Sequence, residues 1–206
     1  MTTHEQKRTN LSTIYSSPIY YGDEEPWKED WSKLYLEVPL LGVADLLTTL
    51  QKVNGNKDNH TFMDIGSGNG KLLLHWLNMS KCKNVIGIER NQKRCRISKD
   101  LYKKMEGLED RKFKVINKDV MKYKKFDAEV IFINDIFFKG HETLHIWNNM
   151  KPDAILMTYK VLRKTYPIAE IKVPVNIDLK DTPTIVNFYR KPMIKGGMIS
   201  RLGLIP

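Results

Sequence analysis

Residues 61–71 read TFMDIGSGNGK. A short apolar run, Phe62 to Ile65, carries one carboxyl at Asp64 and breaks into Gly66, Gly68 and Gly70, with Ser67 and Asn69 between them. Leu72, Leu73, Leu74, Trp76 and Leu77 follow with helical patterning. The stretch predicts strand, tight turn, helix. Its glycines permit positive φ and let a ligand approach where a Cβ would block it. A second apolar run, Asn84 to Glu89, ends in another acid. That acid stands at roughly the twenty-residue step at which a nucleotide-binding α/β unit sets a carboxylate on a ribose.

The alternation continues outward. Leu40, Leu41, Val43, Ala44, Leu46, Leu47 and Leu50 predict a helix over 38–53. Residues 91–106 predict a basic helix bearing Lys93, Arg94, Arg96, Lys99, Lys103 and Lys104, with Ile97, Leu101 and Met105 inward. Strands are predicted at 113–116, 128–133 and 154–158. The unbroken run Val130 to Ile133 suits a parallel strand buried on both faces. A helix over 142–149 turns Leu144 and Trp147 inward. Segments 170–178 and 184–190 read as two last strands without a helix between them, hence an antiparallel hairpin edge. His75, among leucines and a tryptophan, reads as packed. Residues 1–20 are polar without periodicity, so 1–22 are expected to form a mobile arm and 23–206 a single domain, with a short helix opening near residues 23–36. The fold class is α/β: a doubly wound, Rossmann-like parallel sheet with an antiparallel C-terminal strand pair and short N-terminal helices.

The chain has 206 residues, 41% of them apolar and 28% charged, which fits a globular domain with a real core. No apolar run approaches the roughly 20 residues that span a bilayer. The N-terminus lacks an apolar signal core, and the two cysteines, Cys82 and Cys95, are too few for a disulfide framework or a zinc site. An intracellular place, cytoplasmic or nuclear, is expected, with no metal. The formal charge of +10 suits an acidic partner such as nucleic acid or chromatin, or serves solubility alone.

Ligands of open α/β sheets bind beyond the carboxyl ends of the strands. Asp64, Glu89, Asp119 and Asn134 all fall there. Asp119 meets an adenine amino group, with Val120 covering the ring, or is a plain turn residue. The pattern D-x-G-x-G-x-G resembles motif I of class I S-adenosylmethionine-dependent methyltransferases. An acid just before the glycines fits poorly beside a pyrophosphate but pairs with the ammonium of a methionine moiety. The resemblance thus implies S-adenosylmethionine held by Asp64, Gly66, Ser67, Gly68, Gly70, Glu89, Asp119, Val120 and Asn134.

FINDIFF and NMKPDAILMTYK further resemble the Dot-one (disruptor of telomeric silencing) histone lysine methyltransferases. In that family the fourth strand ends in Asn-Asn and aromatics, and an Asn-Met-Lys turn precedes the fifth strand. Asn134 matches the first Asn, Phe138 the last aromatic, and Asn149, Met150 and Lys151 the turn. Asp135 replaces the second Asn and Ile136 an aromatic, both in or beside the presumed channel. Phe188 and Tyr189 of VNFYR are similar to the family's aromatic pair; alternation lets only one face the channel, and Tyr189 is favoured for its hydroxyl. The resemblance implies direct methyl transfer to a lysine of a histone, another basic protein or a nucleosome, with Asn134, Phe138 and Tyr189 as catalytic residues. A lysine, with a reference pKa of about 10.4, must react as the neutral amine, which an apolar aromatic channel favours. Two alternatives stand beside this. Asn134-Asp135-Ile136-Phe137 is close to the Asn/Asp-Pro-Pro-Tyr/Phe motif of adenine N-methyltransferases but lacks both prolines. A non-catalytic subunit that binds S-adenosylmethionine is the other.

Overall fold

The computed structural model describes residues 3–16, 38–55, 60–136, 138–177 and 180–193. The strands are β1 (Thr61–Ile65), β2 (Asn84–Glu89), β3 (Lys112–Asn117), β4 (Val130–Ile133), β5 (Ile155–Thr158), β6 (Ala169–Ile177) and β7 (Lys180–Arg190). The helices are α1 (His4–Ser16), α2 (Leu40–Asn54), α3 (Lys71–Met79), α4 (Gln92–Lys103) and α5 (Gly140–Asn149). The strands form one sheet in the order β3-β2-β1-β4-β5-β7-β6. β1 to β5 are parallel, and β7 runs antiparallel to both β5 and β6. Strand order reverses between β2-β1 and β4-β5, so the ligand crevice falls at the carboxyl ends of β1 and β4.

The period of two splits each central strand between two cores. Phe62, Val85, Phe132, Met157 and Phe188 join α2 and α3 in one, where Phe62 stacks on Trp76 at 3.8 Å. Met63, Ile65, Ile131, Ile133 and Leu156 join Phe126 and Ile146 of the opposite layer in the other. Asp64 shares the face of Phe62, so the fold buries a carboxyl at the rim of the larger core.

β6 and β7 form a longer hairpin than the rest of the sheet needs. β5 ends at Thr158, opposite Asn187, whereas β6 and β7 stay paired from Glu170↔Asn187 on to Ile177↔Lys180. At about 3.3 Å per residue the hairpin projects roughly 20 Å past the ligand-binding edge. α2 braces it: a Cβ on Gly42 would lie 2.6 Å from Val173 Cγ1 and 3.3 Å from the Pro174 carbonyl oxygen.

Three expectations are corrected. Residues 4–16 are a docked helix, not an arm. Thr3 and Gln6 cap it reciprocally, each side chain accepting from the other's backbone N–H. Asn10, fully buried, bonds Asn78 of α3 and both backbone groups of Glu106. On α5 the buried residues are Thr143 and Ile146, and Trp147 packs partly buried against the second core as expected, while Leu144 is 52% exposed. Arg94 of the basic helix is buried rather than solvated, whereas Lys93, Arg96, Lys99, Lys103 and Lys104 are exposed. His75 is packed as expected; burial first and Lys71 second lower its pKa to about 4, so it stays neutral. The helix expected near 23–36 and the tail 194–206 lie outside the described residues. Among the described residues no helix is long and apolar enough to cross a membrane.

Candidate active site

The glycine turn hangs from β2. Gly66 N and Ser67 N both donate to the Ile88 carbonyl, at 2.8 and 3.2 Å, and Gly70 N closes the turn on Ser67 O. Gly66, Gly68 and Gly70 all have positive φ, at 75°, 52° and 77°, a region side chains disfavour. Gly70 opens α3, and a Cβ there would lie 1.9 Å from Ser98 Oγ of α4. Ser67 is turned beneath the loop. Its Oγ is buried, bonds nothing, and fills the space where Gly87 would carry a Cβ, 2.5 Å away. Its side chain therefore shapes the turn from below rather than facing a ligand.

Glu89 closes the turn from the neighbouring strand. Its carboxyl accepts from Gly68 N at 2.9 Å and from Asn91 N at 2.7 Å, one bond on each oxygen. A carboxylate has about four acceptor positions, so two are free for hydroxyls such as those of a ribose. Asn117, at the end of β3, latches onto this corner by donating to the Glu89 and Arg90 carbonyls. Asp119 accepts from Met121 N at 2.8 Å and starts the 3-10 turn Val120–Lys122. It thus serves as a cap, and Val120 packs into the second core. Asp64 is buried at the end of β1; burial first, and the charge of Glu89 second, push its pKa up to about 8.

Asn134 follows β4, and its amide oxygen is buried without a partner. Asp135 next to it is fully buried and accepts four hydrogen bonds: Thr143 Oγ1 (2.9 Å), Thr158 Oγ1 (2.6 Å), Tyr159 N (2.9 Å) and Lys160 N (3.2 Å). It ties the β4–α5 connection to the end of β5 and to α5. Lys160 completes the strap by donating to the Phe138 carbonyl. The expectation that Asp135 lines or adjoins the channel is thereby corrected: its carboxyl faces inward, onto a structural knot. Phe138 lies over the glycine turn, its ring 3.2 Å from where a Cβ of Gly66 would be. Phe137 lies outside the described residues.

The aromatic pair on β7 does not reach this place. Phe188 is buried in the larger core. Tyr189 is fully buried on the other face, edge-on to Trp147 at 6.3 Å, with its hydroxyl accepting from Leu162 N at 3.1 Å. The site therefore unites Asp64, Gly66, Gly68, Glu89, Asn134 and Phe138 and leaves Tyr189 in the core. Sequence reasoning missed Asp135 as a knot and Tyr159 altogether. Tyr159 follows β5 directly, and its hydroxyl is buried without a partner.

Both the donor set and the unpartnered atoms fit S-adenosylmethionine. Asp64 and Glu89 suit an ammonium and ribose hydroxyls, and the side-chain-free turn admits a backbone approach. The family described as histone methylation protein DOT1 matches residues 39–178. No curated protein sequence matches the chain. A candidate RNA methyltransferase from Pyrococcus horikoshii superposes with a TM-score of 0.59 at 17% identity, over 93% of this chain and 100% of that one. An RNA methyltransferase from Salinibacter ruber, solved with S-adenosyl-L-homocysteine, gives 0.55 at 13% identity, over 74% and 94%. A candidate class I S-adenosylmethionine-dependent methyltransferase from Listeria monocytogenes gives 0.57 at 11% identity, over 77% and 61%. At such identities these likenesses speak to the fold, which is the Rossmann-like fold of class I methyltransferases.

Proposed function

The chain belongs to the DOT1 family of histone methylation proteins, and we propose that it is an S-adenosylmethionine-dependent methyltransferase whose acceptor is a lysine ε-amine on a histone or another basic protein. The observation that carries the lysine reading is the Phe138 ring lying against Gly66 of the glycine turn, with the Phe138 carbonyl held by Lys160. A planar base needs a wide slot and hydrogen bonds along its edge. An alkyl amine needs a narrow passage and a desolvated end, which an aromatic wall supplies.

S-adenosylmethionine, when bound, supplies an electrophilic methyl group on a sulfonium. Asp64 holds the ammonium of its amino-acid end, and Glu89 accepts from its ribose. Asn134 orients the attacking amine through its free amide oxygen. Phe138 excludes water and favours the neutral amine by desolvation. No strong general base is required, because alignment supplies most of the effect. The exposed lysines of α4 suit the nucleic acid of a nucleosomal substrate.

Two measurements test this reading. Incubation with labelled S-adenosylmethionine and, in parallel, histones, nucleosomes and total RNA yields methyl-lysine by mass spectrometry. The sequence nearness of Asn134–Phe137 to the adenine-methylating motif keeps a nucleobase acceptor as the second reading, and methyl groups on nucleobases alone would establish it instead. The cofactor side has its own signature. Asp64 carries a proton in the free protein below about pH 8 and must lose it to pair with an ammonium. Affinity therefore rises with pH toward that value, and at roughly pH 6.5 binding releases close to one proton, seen as buffer-dependent heat in calorimetry. Asp64→Ala and Glu89→Ala both weaken binding, and Asp64→Ala also abolishes the release. Unchanged affinity in both variants would remove the cofactor assignment.

A further inference from the structure

We propose that Tyr159 is a cofactor-binding residue whose hydroxyl donates to the α-carboxylate at the amino-acid end of S-adenosylmethionine, beside the ammonium held by Asp64. The inference rests on the cofactor reading above. Its starting point is placement. Phe132 of β4 pairs with Asp64 of β1 on one side and with Met157 of β5 on the other. Tyr159 lies two residues beyond Met157, so it returns to the face that carries Asp64. The Phe132 ring meets it edge-on at 6.0 Å, and the Tyr159 backbone N–H is fixed on Asp135. Ring and backbone are thus anchored, and the hydroxyl is the one polar part of the side chain without a bond.

Buried hydroxyls nearly always have partners, so an anchored one without any calls for an explanation. Asp135 already receives four donors and does not need a fifth. Both Asp135 and Asp64 lie near enough for their charges to act on the phenol. With burial as the larger cause they raise its pKa, so the hydroxyl keeps its proton and stays a donor. A zwitterion suits this pair of neighbours. Its ammonium matches the acid of Asp64, while its carboxylate, which Asp64 alone would repel, requires a donor close by.

Ligand truncation tests the assignment. S-adenosylhomocysteine carries the amino-acid end; 5′-methylthioadenosine keeps the adenosine and the thioether without it. In calorimetry Tyr159→Phe raises the Kd of S-adenosylhomocysteine by about tenfold, the worth of one hydrogen bond to a charged group, and leaves that of methylthioadenosine unchanged. The melting temperature of the free protein holds or rises, because an unpartnered hydroxyl is removed. Equal S-adenosylhomocysteine affinity in the variant overturns the proposal. So does a loss shared by both ligands with a lowered melting temperature, which marks a structural role. Wild-type protein that binds neither ligand overturns the cofactor reading itself.

Discussion

Asn134→Ala lowers methyl transfer on the order of 10²-fold or more, while S-adenosylhomocysteine still binds within a few-fold. The expectation follows from the bonding state of the amide. Its oxygen is buried at the end of β4 and bonds to no other group of the protein. No bond of this oxygen within the protein is lost on its removal. What disappears is an acceptor at the carboxyl end of β4, next to β1 in the sheet. An interaction made mainly in the transition state lowers kcat and kcat/KM together. Steady-state transfer with saturating cofactor checks this. Turnover within threefold of wild type would remove Asn134 from the reaction.

The adjacent residue gives the opposite phenotype. Asp135→Ala destabilises the protein by about 3–5 kcal/mol, measured as a fall in the urea midpoint with an unchanged slope. Four donors converge on this buried carboxyl, and alanine leaves the Tyr159 N–H and two threonine hydroxyls without it as acceptor, while Lys160 N keeps only its bond to Thr158 Oγ1. Asp135→Asn costs less, about 1–2 kcal/mol, because one acceptor oxygen persists and threonine hydroxyls can rotate to accept from an amide. The family carries Asn at this place. A loss below 1 kcal/mol in Asp135→Ala would show that the knot does not hold β4 to β5.

This neighbouring pair shows what sequence conveys and what it withholds. The place of Asn134 at a strand end was legible because a polar residue there ends an apolar run. Asp64 and Glu89 were legible on the same ground, and the glycines because only they tolerate the turn's positive φ. The role of Asp135 was not legible. It depends on Thr158, Tyr159 and Lys160, more than twenty residues later, and on β5 lying directly beside β4. Tyr159 was hidden for the same reason, since only strand pairing brings it to the face of Asp64. For Phe188 and Tyr189 alternation was clear from the sequence, but the burial of both depends on the register of β7 against β5. α1 is a different case. Its hydrophobic pattern is weak, yet the T-x-x-Q box at Thr3–Gln6 was a local signal open to reading. On α5, Leu144 and Thr143 differ by one helical step, and hydrophobicity alone chose the wrong one.

The long β6–β7 hairpin has a mechanical consequence. A tilt at the root of a ribbon is magnified with distance along it. Over a reach of roughly 20 Å, a tilt of about 5° at the Thr158–Asn187 level displaces the tip by nearly 2 Å. Midway along it α2 lies close, with Gly42 against the Val173 side chain and the Pro174 carbonyl. One added methyl group at residue 42 would act there as a shim, changing the angle of the ribbon beyond the end of β5.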